Sequence, residues 1–582
     1  MKEQKKDVQI KQEKGVWKRY IILLFKARIP IVWLLIYIAA EVFLVNVGVS
    51  ETDYTAKLFD GDVSVKTVMS LVAVIVINMV FSSVSVLIRE ILSARTNRNA
   101  RLAIWNKLLH IPMKFFNNEN PEEAISRIVS NATCVDSTLI FVLVPIGTTA
   151  YSIFACVKKV WDYDWRLSAT LLCSIPLAIL VAFITGRLKY SVNKSGANVL
   201  AVLTERISEL IKRIPMMKAF AREKAEEARG DDVTGRLYRV NVKSGWIDNF
   251  SSMGISLLGI ISNLLIVLVG VILFKNDAIS KRAWIAFFLF SGTVMGHVDA
   301  LILYWHNTKT IQGIIARVGE IMSYENEKSG TLSADGLTGD IRFEGVSFGY
   351  NEDKPVLEDV DCTFKEGTVT ALLGLSGCGK STMVNLIDRI YEPDKGAITI
   401  GGSNIADYEI SSYRRLFGMI PQNVMLFSGT VRENVTFGVN RSVADDEIMS
   451  ALCRVGLADF MEKSGKGLEL DIGERGCKLS GGQKQKIALA RMLLADSHYL
   501  ILDEATASMD SISVADFRSV LEEIVKDRTV IIIAHTNHLM SLAEEAMVIE
   551  NGRIAACGKF DKVLEENAFL RDFMKGADVN EE

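Results

Sequence analysis

The sequence predicts an α-helical transmembrane bundle of six helices followed by an α/β domain. Three observations carry this reading. Six apolar runs of about 20 residues precede residue 310. From Ile341 the pattern changes to short β-branched runs alternating with helical stretches. One loop fits GxxxxGK[ST], between an apolar strand and a helix. Bulk composition agrees. A chain of 582 residues exceeds one ordinary core. Hydrophobic residues make up 49% and mean hydropathy is +0.24, yet 23% of residues are charged, so part of the chain suits lipid and part suits water. The net charge of -3 supplies no overall basic field, and no nucleic acid partner is expected. Eight cysteines, at 134, 156, 173, 362, 378, 453, 477 and 557, form no CxxC pair and read as reduced thiols.

The membrane domain is read as 29–324, after an N-terminal segment of residues 1–28. Its runs lie near 29–48, 67–88, 138–157, 167–187, 250–274 and 283–305. In lipid every backbone N–H and C=O must bond internally, so each run is a helix and the lipid bilayer is its solvent. Buried helices of a large soluble protein are the alternative, and six such runs weigh against it. Residues 1–28 carry nine Lys/Arg, and Arg89, Arg95, Arg98 and Arg101 follow the second run. The expected outer loop after the first run holds Glu51, Asp53, Asp60 and Asp62. The N-terminus is therefore expected in the cytoplasm. Lys275, Lys281 and Arg282 run against this rule, but an even number of spans keeps both ends on one side. Segments 89–137 and 188–249 read as helices continuing into the cytosol. They are expected to break at Ile111-Pro112 and Ile214-Pro215, because proline removes a donor and restricts its predecessor.

Glu41, His297 and Asp299 are ionisable residues well inside the runs. A charge at mid-membrane costs roughly 2.5–3.5 kcal/mol on insertion scales, so such residues pair within the bundle or face a cavity. Asp299, with His297, is the candidate for a cavity that favours cationic or polar cargo. Glu41 has a third option, a place near the outer headgroups.

Residues 325–340 (ENEKSGTLSADGLTGD) are rich in Gly, Ser and charge and read as the linker to a domain spanning 341–582. There the loop Gly374-Leu375-Ser376-Gly377-Cys378-Gly379-Lys380-Ser381 follows the strand 369–373 and enters a helix at Thr382. Its glycines let N–H groups wrap phosphate oxygens, and the helix N-terminus adds partial positive charge. Lys380 is placed to reach the β- and γ-phosphates of ATP, and Ser381 to ligate Mg²⁺. A fortuitous glycine turn would lack these flanks. A second apolar strand, 499–502, ends in Asp503 and Glu504. Asp503 suits Mg²⁺, and Glu504 suits the general base that polarises an attacking water. Two acids at a strand end are often a solvated edge; beside a P-loop they complete an ATPase site. Ser480-Gly481-Gly482-Gln483 opens a helix and alone would read as an N-cap.

Preceded by Leu479, that tetrad is identical to the signature sequence of ATP-binding cassette (ABC) proteins. With the P-loop and six apolar runs, the chain resembles a half-size ABC transporter of the exporter type. The resemblance implies roles residue by residue. Tyr350 stacks on adenine. Gln422 senses Mg²⁺ and the membrane domain. The segment Gly473-Glu474-Arg475-Gly476 touches the coupling helices, Asp510 closes the D-loop, and His535 contacts the γ-phosphate. Phe115-Phe116 with Ser126-Arg127 resembles one coupling region, and Glu209 with Lys218-Ala219-Phe220 and Glu223 the other. The sequence departs from the usual family wording at Ala507-Ser508-Met509 and at Thr536-Asn537-His538, without replacing a catalytic group. The resemblance further implies a dimer with a second half-transporter, identical or related, whose signature completes the ATP site. ATP hydrolysis would drive alternating access in the plasma membrane, with the N-terminus and ATPase domain cytoplasmic. The cargo would be an exported lipid, drug-like molecule or peptide. Siderophore-type importers share the layout, and a non-transporting ATP-gated channel or regulator is a further alternative.

Overall fold

The computed structural model describes residues 16–59, 63–118, 134–163, 165–276, 278–351, 354–506, 509, 511–526, 528–533, 537–567 and 570–571. It divides into two compact units, one of Met1–His110 with Asn120–Tyr324 and one of Ile111–Glu119 with Glu325–Glu582.

The first unit is helical. Helix α1 (Val16–Lys26) lies within the segment expected as the N-terminal tail. It buries Tyr20 and Leu23 and exposes Ile21, Ile22 and Phe25; the Tyr20 hydroxyl donates to Val135 O at 3.0 Å. Then follow α2 (Ile31–Phe59), α3 (Val65–Leu108) and, in the other unit, the short α4 (Met113–Asn118). Next come α5 (Cys134–Thr138), a π-helical turn (Leu139–Leu143) and α6 (Val144–Tyr163). The long helices α7 (Trp165–Ala219), α8 (Glu223–Lys275) and α9 (Lys281–Ser323) complete the unit. At 1.5 Å per residue α7 is about 80 Å long, far beyond a ~30 Å hydrocarbon core, as expected for helices that leave the membrane.

Among the described residues five helical stretches are long and apolar enough to cross: Ile31–Phe59, Val65–Leu108, Val135–Asp162, Glu223–Lys275 and Arg282–Trp305. The expected fourth run, 167–187, falls inside α7, where most side chains lie outside the described residues. Outward-facing Val72, Ile75, Val76, Met79 and Val80 on α3 would be costly in water and are ordinary in lipid. Glu51 and Asp53, expected in a loop, are the continuation of α2.

Of the two expected breaks one is found and one is displaced, and α7 also runs unbroken through Pro176. Helix α3 ends at Leu108, ahead of Pro112, as expected. Helix α7 instead runs through Pro215 to Ala219, and the turn comes at Phe220–Arg222, with Ala221 at φ 49°. A proline this near a helix end on a water-exposed stretch forfeits one hydrogen bond whose carbonyl water can satisfy.

Polar groups inside the bundle mostly find partners. Ser85 donates to Glu41 at 2.6 Å, joining α3 to α2, and Asn78 donates to Glu51 at 2.8 Å. His297 shares a 2.8 Å hydrogen bond with Ser152, joining α9 to α6. Asp53, nearly buried, lies 3.1 Å from Lys57 and 3.9 Å from both Lys159 and Arg282. Gly270 is required by a close approach: a Cβ there would lie 2.2 Å from the Trp284 indole nitrogen.

The second unit holds two sheets. One is antiparallel, in the order β2 (Leu357–Phe364), β1 (Ile341–Phe348), β4 (Lys395–Ile400), β5 (Ser403–Asn404). The other runs β10-β9-β3-β8-β7-β6, from β10 (Arg553–Lys559) and β9 (Glu545–Glu550) through β3 (Val369–Leu373), β8 (Thr529–Ile533) and β7 (Tyr499–Asp503) to β6 (Phe417–Ile420). All its pairings are parallel except β9 with β10. β3 and β8 are buried at every residue, as a strand covered on both faces must be. Helix α10 (Lys380–Ile387) follows β3, α11 (Gly481–Ala495) precedes β7, and α12 (Ser511–Ile524) follows it.

The stretch expected as a linker is strapped to this unit rather than free. Arg414 grips Glu327 with two nitrogens, at 3.0 and 3.2 Å. Arg389 donates to Lys328 O at 3.0 Å and to Tyr408 O at 2.8 Å. Gly330 N donates to Tyr408 O, and a Cβ on Gly330 would sit 2.0 Å from Asp407 O.

Candidate functional site

The site grows from the carboxyl ends of the parallel strands, where open α/β sheets bind ligands. β3 delivers the chain to Gly374, at φ 150°, where an added Cβ would meet Ile549 O at 2.4 Å. Gly379, at φ 116°, forms the N-cap of α10; a Cβ there would lie 2.7 Å from Leu357. Between them Leu375, Ser376 and Gly377 are exposed and Cys378 is half-buried. The Lys380 ammonium is buried and donates to Gly374 O (2.8 Å) and Leu375 O (3.0 Å), so it is aimed along the inside of its own loop. Thr382 is buried one residue beyond Ser381.

β7 sits beside β8, with Asp503 in register with Ile533. That register brings Asp503 to Ser381, whose hydroxyl donates to the Asp503 carboxylate at 3.4 Å. Glu504 takes a left-handed conformation, φ 48°, and its N–H donates to Ile533 O at 2.8 Å. A non-glycine residue held there costs of order 1–3 kcal/mol and needs surrounding structure to fix it. Gln422, just past β6, donates through Nε2 to Glu504 Oε2 at 2.5 Å. Three strand ends thus converge: Lys380, Ser381 and Thr382 after β3, Gln422 after β6, Asp503 and Glu504 at β7. A hydroxyl and a carboxylate 3.4 Å apart, beside a glycine-lined loop with a fixed ammonium, suit a Mg²⁺-bound polyphosphate. Among the described residues no group of three or more His, Cys, Asp and Glu could hold a metal, but Mg²⁺ keeps waters and phosphate oxygens and needs few protein ligands.

Tyr350 stands just after β1, and its hydroxyl lies 3.2 Å from the Thr382 hydroxyl. Its ring is flanked by Phe348 and Tyr391. Sequence reasoning missed both neighbours. Phe348 ends β1 two residues before Tyr350, a proximity visible in the sequence, whereas nothing in the sequence links Tyr391 to them.

The signature residues lie elsewhere. Ser480 caps α11 reciprocally with Gln483: Gln483 N donates to Ser480 Oγ at 3.2 Å and Ser480 N to Gln483 Oε1 at 2.9 Å. Ser480, Gly481, Gly482 and Gln483 line an open cleft with Phe460, Lys463 and Lys486, and no P-loop residue lines it. Asp459 also lines it, and Lys486 is turned toward Gly456 O and Asp516, so the helix N-terminus and Lys463 are what it offers an anion. His535 and Asp510 lie outside the described residues, as do Ala507, Ser508, Ser126 and Arg127.

Comparison with known proteins agrees with this architecture. The family "ABC transporter transmembrane region" matches residues 31–298, and the family "ABC transporter" matches 357–507. An ATP-dependent lipid A-core flippase of Pasteurella multocida is 30% identical over 517 residues, 87% of this chain and 88% of the relative. A multidrug resistance ABC transporter ATP-binding and permease protein of Lactococcus lactis is 27% identical over 492 residues, 83% and 82% of the two chains. The solved structure of a bacterial Atm1-family ABC exporter with ATP bound superposes with a TM-score of 0.79, at 21% identity, over 93% of this chain and 98% of that one. The chain therefore belongs to the ABC transporter family, as a membrane-embedded half-transporter whose exporter-type helical region is fused to an ATP-binding domain.

Proposed function

We propose that two such chains, identical or related, form an ATP-driven exporter that moves a lipid, drug-like or peptide cargo by alternating access. One observation carries this: the signature cleft contains no P-loop residue, so one chain supplies two separated halves of a nucleotide site. A two-fold pair brings each P-loop opposite the other chain's signature and completes two sites. In each, the loop N–H groups from Gly374 to Thr382 and the Lys380 ammonium hold the phosphates, and Tyr350 holds the base. Ser381 and Asp503, with Gln422, would hold Mg²⁺, which when bound neutralises phosphate charge. Glu504 accepts the proton of the attacking water, held in place by Gln422, and His535 steadies the γ-phosphate. We assign the membrane domain to 29–324 and the ATP-binding domain to 341–582, with the N-terminus and ATPase on the cytoplasmic side.

The test is reconstitution into proteoliposomes. ATP-dependent movement of a fluorescent lipid or a cationic dye is expected. Steady ATPase activity without movement of any cargo in a broad panel would favour the channel or regulator reading. Ser480→Arg should block the composite site. Its bulk and charge should cut ATPase at least tenfold while ATP binding to the P-loop persists. Unchanged turnover would count against a site shared between subunits.

Cargo chemistry points to Asp299. Unlike Glu41 and His297 it makes no hydrogen bond or ion pair among the described residues. It shares an exposed face of α9 with Gly292, Gly296 and Leu303, opposite the buried Phe290, Val294 and Val298. A carboxylate at that depth on a lipid-facing surface is expensive, so a water-lined cavity is the better home. Asp299→Asn should weaken stimulation of ATPase by cationic cargo severalfold and leave basal ATPase and assembly unchanged. If it abolishes assembly, Asp299 serves packing instead.

A further inference from the structure

The nucleobase end of the site contains an arrangement that the motif-derived roles leave unused. The Phe348 ring meets the Tyr350 ring edge-on, with centroids 5.1 Å apart and planes at 83°. Tyr391 meets the same ring at 5.2 Å and 89°. The two flanking rings also touch, at 5.5 Å and 50°. Such T-shaped contacts set a positive ring edge against a negative ring face and fix orientation as well as position.

The cluster is tied to both ends of the P-loop helix. At its start, the Tyr350 hydroxyl meets Thr382 at 3.2 Å. At its end, Ile390 N and Tyr391 N both donate to Asn385 O, at 2.9 and 3.4 Å. Arg389 adopts φ 53° in this turn, and its buried guanidinium is pinned by the Lys328 and Tyr408 carbonyls. Tyr391 therefore hangs from a rigid turn of the helix whose other end grips the phosphates.

We infer that Tyr391 is a positioning residue for the nucleobase: it holds the Tyr350 ring at a fixed angle and distance from the P-loop, so that base and triphosphate are bound in register. This rests on Tyr350 being the base platform. An unsupported Tyr350 would still stack, but it would lose orientational order on binding, and the loss falls on affinity rather than on chemistry.

The experiment uses the purified full-length transporter in detergent or nanodiscs, with ATPase measured against ATP and against UTP. Tyr391→Ala should raise KM for ATP roughly three- to tenfold, the range one edge-to-face pair supports, with kcat within about twofold. The preference for ATP over UTP should shrink, because the larger purine depends more on an ordered platform. Tyr391→Phe keeps the ring and should match the unmodified protein. Tyr391→Leu keeps bulk without an aromatic edge and should behave as Tyr391→Ala, which covers the case where the alanine variant folds poorly. Because Tyr391 acts through Tyr350, the double variant Tyr350→Ala with Tyr391→Ala should have the KM of Tyr350→Ala alone. Additive effects, a fall in kcat with unchanged KM, or a Tyr391→Phe variant as impaired as Tyr391→Ala would overturn the inference. A Tyr350→Ala variant with normal KM would instead remove the platform itself.

Discussion

Glu504→Gln is expected to lower ATP turnover by about a hundredfold or more, the lower range for loss of a positioned general base, while ATP binding survives. The substitution keeps shape and removes the basic oxygen. Gln422 Nε2 donates to Glu504 Oε2 in the native protein, and the new amide can still accept that bond through its oxygen, so the backbone turn after β7 should persist. The left-handed φ of 48° at this position belongs to the backbone and does not depend on charge. ATP should then close the dimer without being consumed. Gel filtration or cysteine cross-linking with ATP should show an accumulated closed state, alongside the loss of phosphate release. A variant with near-normal phosphate release would exclude Glu504 as the base.

Lys380→Ala should fail one step earlier. The ammonium is buried and bonded to the Gly374 and Leu375 carbonyls, a conformation that holds charge inside the loop. Removing it deletes a charge-assisted contact to phosphate, worth about 1.5–3 kcal/mol, or roughly 10- to 150-fold in affinity. It also leaves two loop carbonyls without their donor. Nucleotide binding and turnover should therefore fall together, whereas Glu504→Gln separates them. Titration with a fluorescent ATP analogue, run beside the ATPase assay, distinguishes the two. Normal binding and hydrolysis in Lys380→Ala would mean that Gly374–Ser381 does not hold the phosphates.

What was legible in the sequence follows from how local each feature is. The P-loop is a single stretch whose function is carried by its own backbone, so Gly374, Gly379 and Lys380 could be read from spacing and flanks. Asp503 and Glu504 were visible as acids at the end of an apolar strand. That they join the P-loop followed from pairing two ATPase motifs, whereas the meeting of Glu504 with Gln422 depends on parallel pairing of β7 with β6, and the role of Gln422 came only from the family resemblance. Inside the membrane, polarity marked Glu41, His297 and Asp299 as unusual and grouped His297 with Asp299, whereas the structure pairs His297 with Ser152 as it pairs Glu41 with Ser85. Ser85 and Ser152 are ordinary small residues until the helices pack. Pro215 misled because the rule describes a helix interior, and here the helix has little more than one turn left to run. The strap over 327–332 was invisible for a plainer reason. Arg389 and Gly330 act on backbone carbonyls, and a carbonyl has no signature in a sequence.

That strap has a mechanical consequence. Lys26 donates to Met322 O and Lys107 to Tyr324 O, so the end of α9 is held by the C-terminal ends of α1 and α3 in its own bundle. Arg414 holds Glu327 on the other side. Only Glu325 and Asn326 intervene, and the three chain steps from 324 to 327 can stretch to roughly 10 Å at most. A leash that short stores almost no slack. Any separation of residues 324 and 327 beyond that reach must pull on α9 directly or tear the Arg414 grip, so the covalent join is a tether with a fixed stop.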